Sequence, residues 1–207
     1  MKKVIVTQRE EHISEYGEIR DSIDQKWTNF LMSIDLFPIF VSNNLDHANE
    51  ILKNEDIKGV ILTGGESLSR YSGIDSTRDK VEKILIDWAI NNNVPLLGVC
   101  RGMQVVQNYF GISLQTISNH VGVRHNLEVN QGLKLSDLVA QYNDVNSFHN
   151  LGTKENGKFF NTLAISEDGI VKALEHKTEN IYGVMWHCER ETPFVKEDKE
   201  LFKQIFN

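Results

Sequence analysis

The sequence predicts an α/β protein: a doubly wound, mostly parallel central sheet with helices on both faces and a small antiparallel insertion. Two observations carry that expectation. Short apolar runs alternate with segments of helical periodicity through the first half of the chain, and three glycine- or histidine-bearing motifs fall directly after such runs. In sheets of this kind ligands gather outside the carboxyl ends of the strands, so Gly65, Cys100 and His187 all stand where a site is expected.

The elements follow in order. Val4 to Thr7 reads as the first strand, a helix is expected around Ser22 to Ile34, and Pro38 to Val41 reads as the second strand. Ala48 to Lys53 then reads as a helix and Gly59 to Leu62 as the third strand. After a polar loop, Ser76-x-x-Asp79 has the form of a capping box with Asp in place of Glu. Val81, Ile84, Leu85 and Trp88 follow at i, i+3, i+4 and i+7, the spacing of an amphipathic helix. Val94, Leu96, Leu97 and Val99 read as a short buried strand, and Met103, Val106, Gln107 and Phe110 recur at helical spacing. From Ser113 to Glu175 the pattern weakens into Leu127 to Val129, Leu163 to Ile165 and Val171 to Leu174, expected as antiparallel strands inserted beside the main sheet. Ile181 to Met185 reads as a core strand ending in polar residues. In the tail, Leu201, Phe202, Ile205 and Phe206 share one helical face that should dock on the core.

Composition bounds the function. A chain of 207 residues, 40% hydrophobic, suits one domain over 1–207. A formal net charge of −7 argues against a nucleic-acid partner, which requires a broad basic surface. Two cysteines describe no disulfide framework, and a nucleophilic thiol suits a reducing compartment, so the cytoplasm is expected. The opening apolar stretch is too short for a signal peptide, and no run suits a membrane. Gly64-Gly65 lacks the lysine of a phosphate-gripping loop, and His120 and His125 lack zinc-ligand spacing, so no metal is expected.

The chemistry concentrates in Gly98-x-Cys100-x-Gly102-x-Gln104. A cysteine between an apolar strand and a helix projects above the sheet, and the flanking glycines admit a turn that a β-carbon would obstruct. The helix amides that follow favour the thiolate over the thiol. Near the other end, His187-x-Glu189 supplies a base and its orienter. In extended chain, residues two apart face the same side at about 6.5–7 Å, which would turn Cys188 to the opposite face as a packed residue.

These residues, with Thr63-Gly64-Gly65, resemble the class I glutamine amidotransferase domains, and within them the free-standing γ-glutamyl hydrolase branch, over nearly the whole chain. Tyr71, Arg78-Asp79, Glu82, His125 and Asn146-Ser147-x-His149 resemble that branch as well. The resemblance implies a flavodoxin-like sheet and a cysteine hydrolase that needs no cofactor. It makes Cys100, His187 and Glu189 catalytic, and Gly65 and Arg101 the amides that hold an oxyanion. Gln104 and the Ser147 region match positions holding the α-amino and α-carboxylate ends of a glutamyl group, and His149 is a further candidate for substrate contact. Val6 to Arg9, Tyr16 to Glu18, Asp21, Asp24 and Trp27 resemble a narrower bacterial subgroup linked to nucleotide-sugar pathways. Should the substrate be a nucleotide amidate, Arg70, Arg124 and Arg9 are the cations available for its phosphates. Two departures stand out: Cys188 where relatives often have proline, and one glycine, Gly111, where many have two. The implied partner is a small γ-glutamyl metabolite. The alternatives are a glutaminase subunit that passes ammonia to a synthase, and a non-catalytic binding domain on the same scaffold.

Overall fold

The computed structural model describes residues 1–207. Strand β1 (Lys2–Thr7) is followed by a hairpin of β2 (Arg9–Ile13) and β3 (Glu18–Ser22), then α1 (Lys26–Met32), β4 (Leu36–Val41), α2 (Leu45–Asn54) and β5 (Ile57–Leu62). The short α3 (Ser69–Ser72) leads to α4 (Thr77–Asn91), β6 (Leu96–Val99) and α5 (Arg101–Tyr109). Next come β7 (Gln115–Thr116), β8 (Val121–His125), β9 (Glu128–Val129), α6 (Ser136–Val139), β10 (Val145–Phe148) and β11 (Leu151–Gly152). Strands β12 (Phe160–Ile165), β13 (Val171–His176) and β14 (Ile181–Val184) precede a 3₁₀ turn at Cys188–Arg190 and the closing helix α7 (Lys196–Phe206).

Eight strands make one sheet in the order β4-β1-β5-β6-β14-β13-β12-β9. The first five are parallel and the rest antiparallel. Counted among themselves, the parallel strands lie in the order second, first, third, fourth, fifth, which is the flavodoxin-like arrangement. The antiparallel strands expected beside the parallel ones are present. β13, β12 and β9 extend the same sheet: β13 is buried along nearly its whole length and covers the edge that β14 would otherwise expose. The β8/β10, β7/β11 and β2/β3 ribbons stand apart.

Alternation along the strands feeds two cores. Val4, Val6, Ile61, Leu97, Val99 and Val184 face α1 and α7, whereas Ile5, Val60, Leu62, Leu96 and Ile181 face α2, α4 and α5. Both faces being buried, these strands read as near-continuous apolar runs. The tail helix docks as its pattern requires: Leu201, Phe202, Ile205 and Phe206 are all buried. Phe202 meets Phe30 edge to face at 4.8 Å between ring centroids. Gly59 admits the closing turn, since a β-carbon there would lie 2.4 Å from Phe206 Cδ1.

Two local expectations are corrected. The segment expected to start a helix at Ser22 is instead the end of the β2/β3 hairpin, and the helix begins at Lys26. That hairpin is polar and largely exposed on both sides, so it carries no apolar period to read. Ser76 and Asp79 form no capping box. The Ser76 hydroxyl donates to Glu10, and Asp79 accepts from the Ser69 amide and from Arg101.

Truncating the α7 anchor tests this packing. Phe202→Ala should lower the unfolding free energy by about 3–5 kcal/mol in urea titrations, the usual cost of emptying a buried aromatic site; a loss below about 1 kcal/mol would contradict the docking.

Candidate active site

Strand β6 turns into α5 through Cys100, whose backbone sits at φ 53°, ψ −107°. Positive φ is rare for a residue with a β-carbon and costs of order 1–3 kcal/mol. The surroundings hold it there. The Cys100 amide donates to Val184 O at 2.8 Å, and its carbonyl accepts from the Gln104 amide at 3.2 Å. A β-carbon on Gly98 would lie 2.5 Å from the Gly102 carbonyl, and one on Gly102 only 1.9 Å from Leu62 O, so both positions require glycine. The thiol lies at the N-terminus of α5 and is nearly buried.

His187 follows β14, the parallel neighbour of β6. Its Nδ1 bonds Glu189 Oε1 at 2.7 Å, with both side chains buried. The spacing alone puts these two on one face of an extended strand. They meet instead through the 3₁₀ turn, which folds Glu189 back onto the ring. Cys188 between them is fully buried, its thiol pushed well up by burial and then by the nearby Asp198, as befits a packing residue. Asn146 brackets the histidine backbone, accepting from the His187 amide at 2.8 Å and donating to its carbonyl at 2.9 Å. Gly64 completes the seat: a β-carbon there would lie 2.6 Å from His187 Cε1. Burial alone would lower the imidazole pKa. The charge and hydrogen bonding of Cys100, followed by those of Glu189, outweigh it and raise the value to about 9.

The Gly65 and Arg101 amides, which the family resemblance pairs, make no hydrogen bond to another backbone group. A buried ionic cluster joins their segments. Arg78 donates to Thr63 O at 2.8 Å, to Gly64 O at 3.1 Å and to Glu82 Oε1 at 2.9 Å. Glu82 and Asp79 also accept from the Arg101 side chain. Burial would raise the Glu82 pKa, but Arg101 and then Arg78 hold it below its ordinary value. Removing one member of such a buried pair costs about 3–5 kcal/mol, so α4 fixes the glycine loop relative to the elbow.

The remaining wall contains a group that sequence reasoning missed. Lys172 is buried in β13 and donates to Ser147 Oγ at 3.0 Å, His120 Nδ1 at 2.9 Å and His149 Nε2 at 3.0 Å. Three N–H groups meeting three neutral acceptors fix both tautomers. His120 therefore donates from Nε2 to Asp168 at 2.9 Å, and His149 from Nδ1 to Leu151 O at 2.9 Å. The same carbonyl accepts from Gln104 Nε2 at 3.1 Å, which ties α5 to this cluster. Burial, then the Lys172 charge, push His149 down to about 3, while burial lowers Lys172 to about 8 against the pull of Asp168 and Cys100. A lysine between Val171 and Ala173, in the apolar half of the strand, was the only signal available.

Of the arginines singled out, Arg70 bonds Asn108 at 3.2 Å, about 12 Å along α5 from Cys100. Arg124 is engaged by Asp144 at 2.6 Å and Glu191 at 2.7 Å. Arg9 lines a small recess with Thr63, Gly64, His187 and Glu189. No three histidine, cysteine or carboxylate side chains are grouped to hold a metal ion, and no helix is long and apolar enough to cross a membrane.

A flavodoxin-like sheet extended by antiparallel strands, with a strained cysteine and a histidine at the ends of adjacent strands, defines the class I glutamine amidotransferase-like proteins. Within that class the chain belongs to the peptidase C26 family, whose model matches residues 4–189. It is 34% identical over 189 residues to the γ-glutamyl-CDP-amidate hydrolase of Campylobacter jejuni, covering 90% of this chain and 89% of that one. It is 29% identical over 146 residues to one subunit of the glutamine-hydrolysing GMP synthase of Methanocaldococcus jannaschii, covering 70% and 72%. A glutamine amidotransferase structure from Thermotoga maritima superposes with a TM-score of 0.67 at 15% identity, covering 98% of this chain and 82% of that one, and shares the fold. These relatives support a hydrolase of the glutamine amidotransferase-like type.

Histidine titration by NMR tests the electrostatics. His187 should titrate near 9 and, in Cys100→Ala, clearly lower, because burial persists when the sulfur is gone. Relative to an unfolded value of about 6.5, the raised pKa adds stability that is complete below about 6.5 and lost as pH climbs through the folded value. An unchanged pKa in the variant would exclude a Cys100–His187 interaction.

Proposed function

We propose that this protein hydrolyses the amide C–N bond of a small γ-glutamyl metabolite through a thioester on Cys100, releasing glutamate. The observation that carries this reading is the Cys100 elbow beside His187, whose ring is in turn held by buried Glu189 at 2.7 Å. In the scheme, the Cys100 thiolate attacks the γ-carbonyl and forms the S–C bond, and the developing oxyanion takes the Gly65 and Arg101 amides. With Nδ1 committed to Glu189, His187 gives the proton on Nε2 to the leaving nitrogen, and the C–N bond breaks. The neutral imidazole then removes a proton from water, which displaces the thiolate and yields glutamate.

Gln104 and Ser147 hold the amino-acid end of the glutamyl group, on the wall that Lys172 and His149 organise. No cofactor takes part. The similarity to a relative named γ-glutamyl-CDP-amidate hydrolase supports a nucleotide amidate as the leaving-group class. A thiol nucleophile suits the cytoplasm, and a small molecule rather than nucleic acid is the partner.

The similarity to a GMP synthase subunit supports a second reading, a glutaminase that delivers ammonia to a synthase through the same residues. The two differ in autonomy: a free-standing hydrolase turns over γ-glutamyl amides alone, whereas a synthase-dependent glutaminase is nearly silent without its partner.

Trapping tests the scheme. Intact-protein mass after brief exposure to a γ-glutamyl amide should show a glutamyl adduct that is absent in Cys100→Ala, and that variant should lose at least about a thousandfold in kcat/KM. A normal rate in the variant would exclude the mechanism.

A further inference from the structure

We propose that Phe148 and Arg190 form the leaving-group subsite, and that it takes an anionic group carrying a flat ring, the chemistry of a nucleoside phosphate. The inference rests on the γ-glutamyl amide reading, because the leaving nitrogen protonated by His187 departs from a site that this ring borders.

Phe148 ends β10 and is 42% exposed although apolar. Its ring stands nearly perpendicular to the His187 ring, with centroids 6.0 Å apart. Across the β8/β10 ribbon its register partner is Val121, which is also exposed, so an apolar step leads outward from the histidine. An aromatic ring left partly exposed beside a candidate base is suited to packing against a base or another planar group.

Arg190 supplies the charge. Its guanidinium lies over the Phe148 ring, 4.5 Å from the centroid, a stacking that restricts the fork before any ligand arrives. Its ion-pair contact is Glu189 Oε1 at 3.8 Å, an oxygen that already serves His187 at 2.7 Å. The other carboxylates on this side are spent: Asp144 and Glu191 bond Arg124, and Glu191 also accepts from Asn146. Arg190 therefore keeps its donors available, and a guanidinium fork matches phosphate oxygens two at a time. A polyamine leaving group would meet the same charge with repulsion.

The test compares glutamate release by the full chain from four substrates: γ-glutamyl methylamide, γ-glutamyl phosphoramidate, the γ-glutamyl amidate of a nucleoside diphosphate, and γ-glutamylputrescine. The unmodified protein should favour the nucleotide amidate over the methylamide in kcat/KM. Arg190→Gln should raise KM for both phosphate-bearing substrates roughly tenfold or more beyond its effect on the methylamide, the loss expected for a charged hydrogen bond. Phe148→Leu should raise KM for the nucleotide amidate by a larger factor than for the phosphoramidate. Equal factors across all substrates, or an unmodified protein that prefers γ-glutamylputrescine, would overturn the subsite while leaving the hydrolase reading intact. Release from none of the four would overturn both.

Discussion

Cys100 occupies a backbone conformation that L-residues avoid, and the packing that enforces it organises the whole end of the sheet. Gly98 and Gly102 bring α5 so close to β6 and Leu62 that the chain has no relaxed path between strand and helix. The reversal aims the side chain above the strand ends. Because β14 is hydrogen-bonded to β6 in parallel register, Val184 lies beside Val99 and the chain emerging from β14 delivers His187 to the same place. The proximity of sulfur and imidazole is thus a consequence of strand order.

Two buried charged clusters support that geometry by different physics. Around Glu82, opposite charges pair directly: two arginines share one carboxylate, and the pairing joins the Thr63–Gly65 segment to the elbow through α4. Around Lys172 the charge is solvated by neutral groups, and what it determines is direction, since each histidine must present an unprotonated nitrogen to the ammonium. The first cluster fixes where the amides are. The second fixes which way Ser147 and His149 point.

Much of this was legible in the sequence because it was written in period and spacing. Parallel strands buried on both faces appear as unbroken apolar runs, and a cysteine between glycines at a strand-to-helix junction has few other uses. The geometry that misled was local. Nothing in Cys188-Glu189-Arg190 distinguishes an extended chain from a 3₁₀ turn, and either places Glu189 within reach of His187. The β2/β3 hairpin has no apolar face to register, and Asp79 was drawn from the expected cap by Arg101, 22 residues away. Lys172 was hidden for a related reason: its partners come from separate segments, and only tertiary structure shows that they converge on one ammonium.

The most direct test is the structure of the protein after reaction with 6-diazo-5-oxo-L-norleucine, which alkylates a thiol that attacks the glutamyl carbonyl position. The account predicts a bond from Cys100 Sγ to the ligand, its carbonyl oxygen within about 3 Å of the Gly65 and Arg101 amide nitrogens, and its amino-acid end against Gln104 and Ser147. A label on Cys188, or an oxygen turned away from both amides, would contradict it.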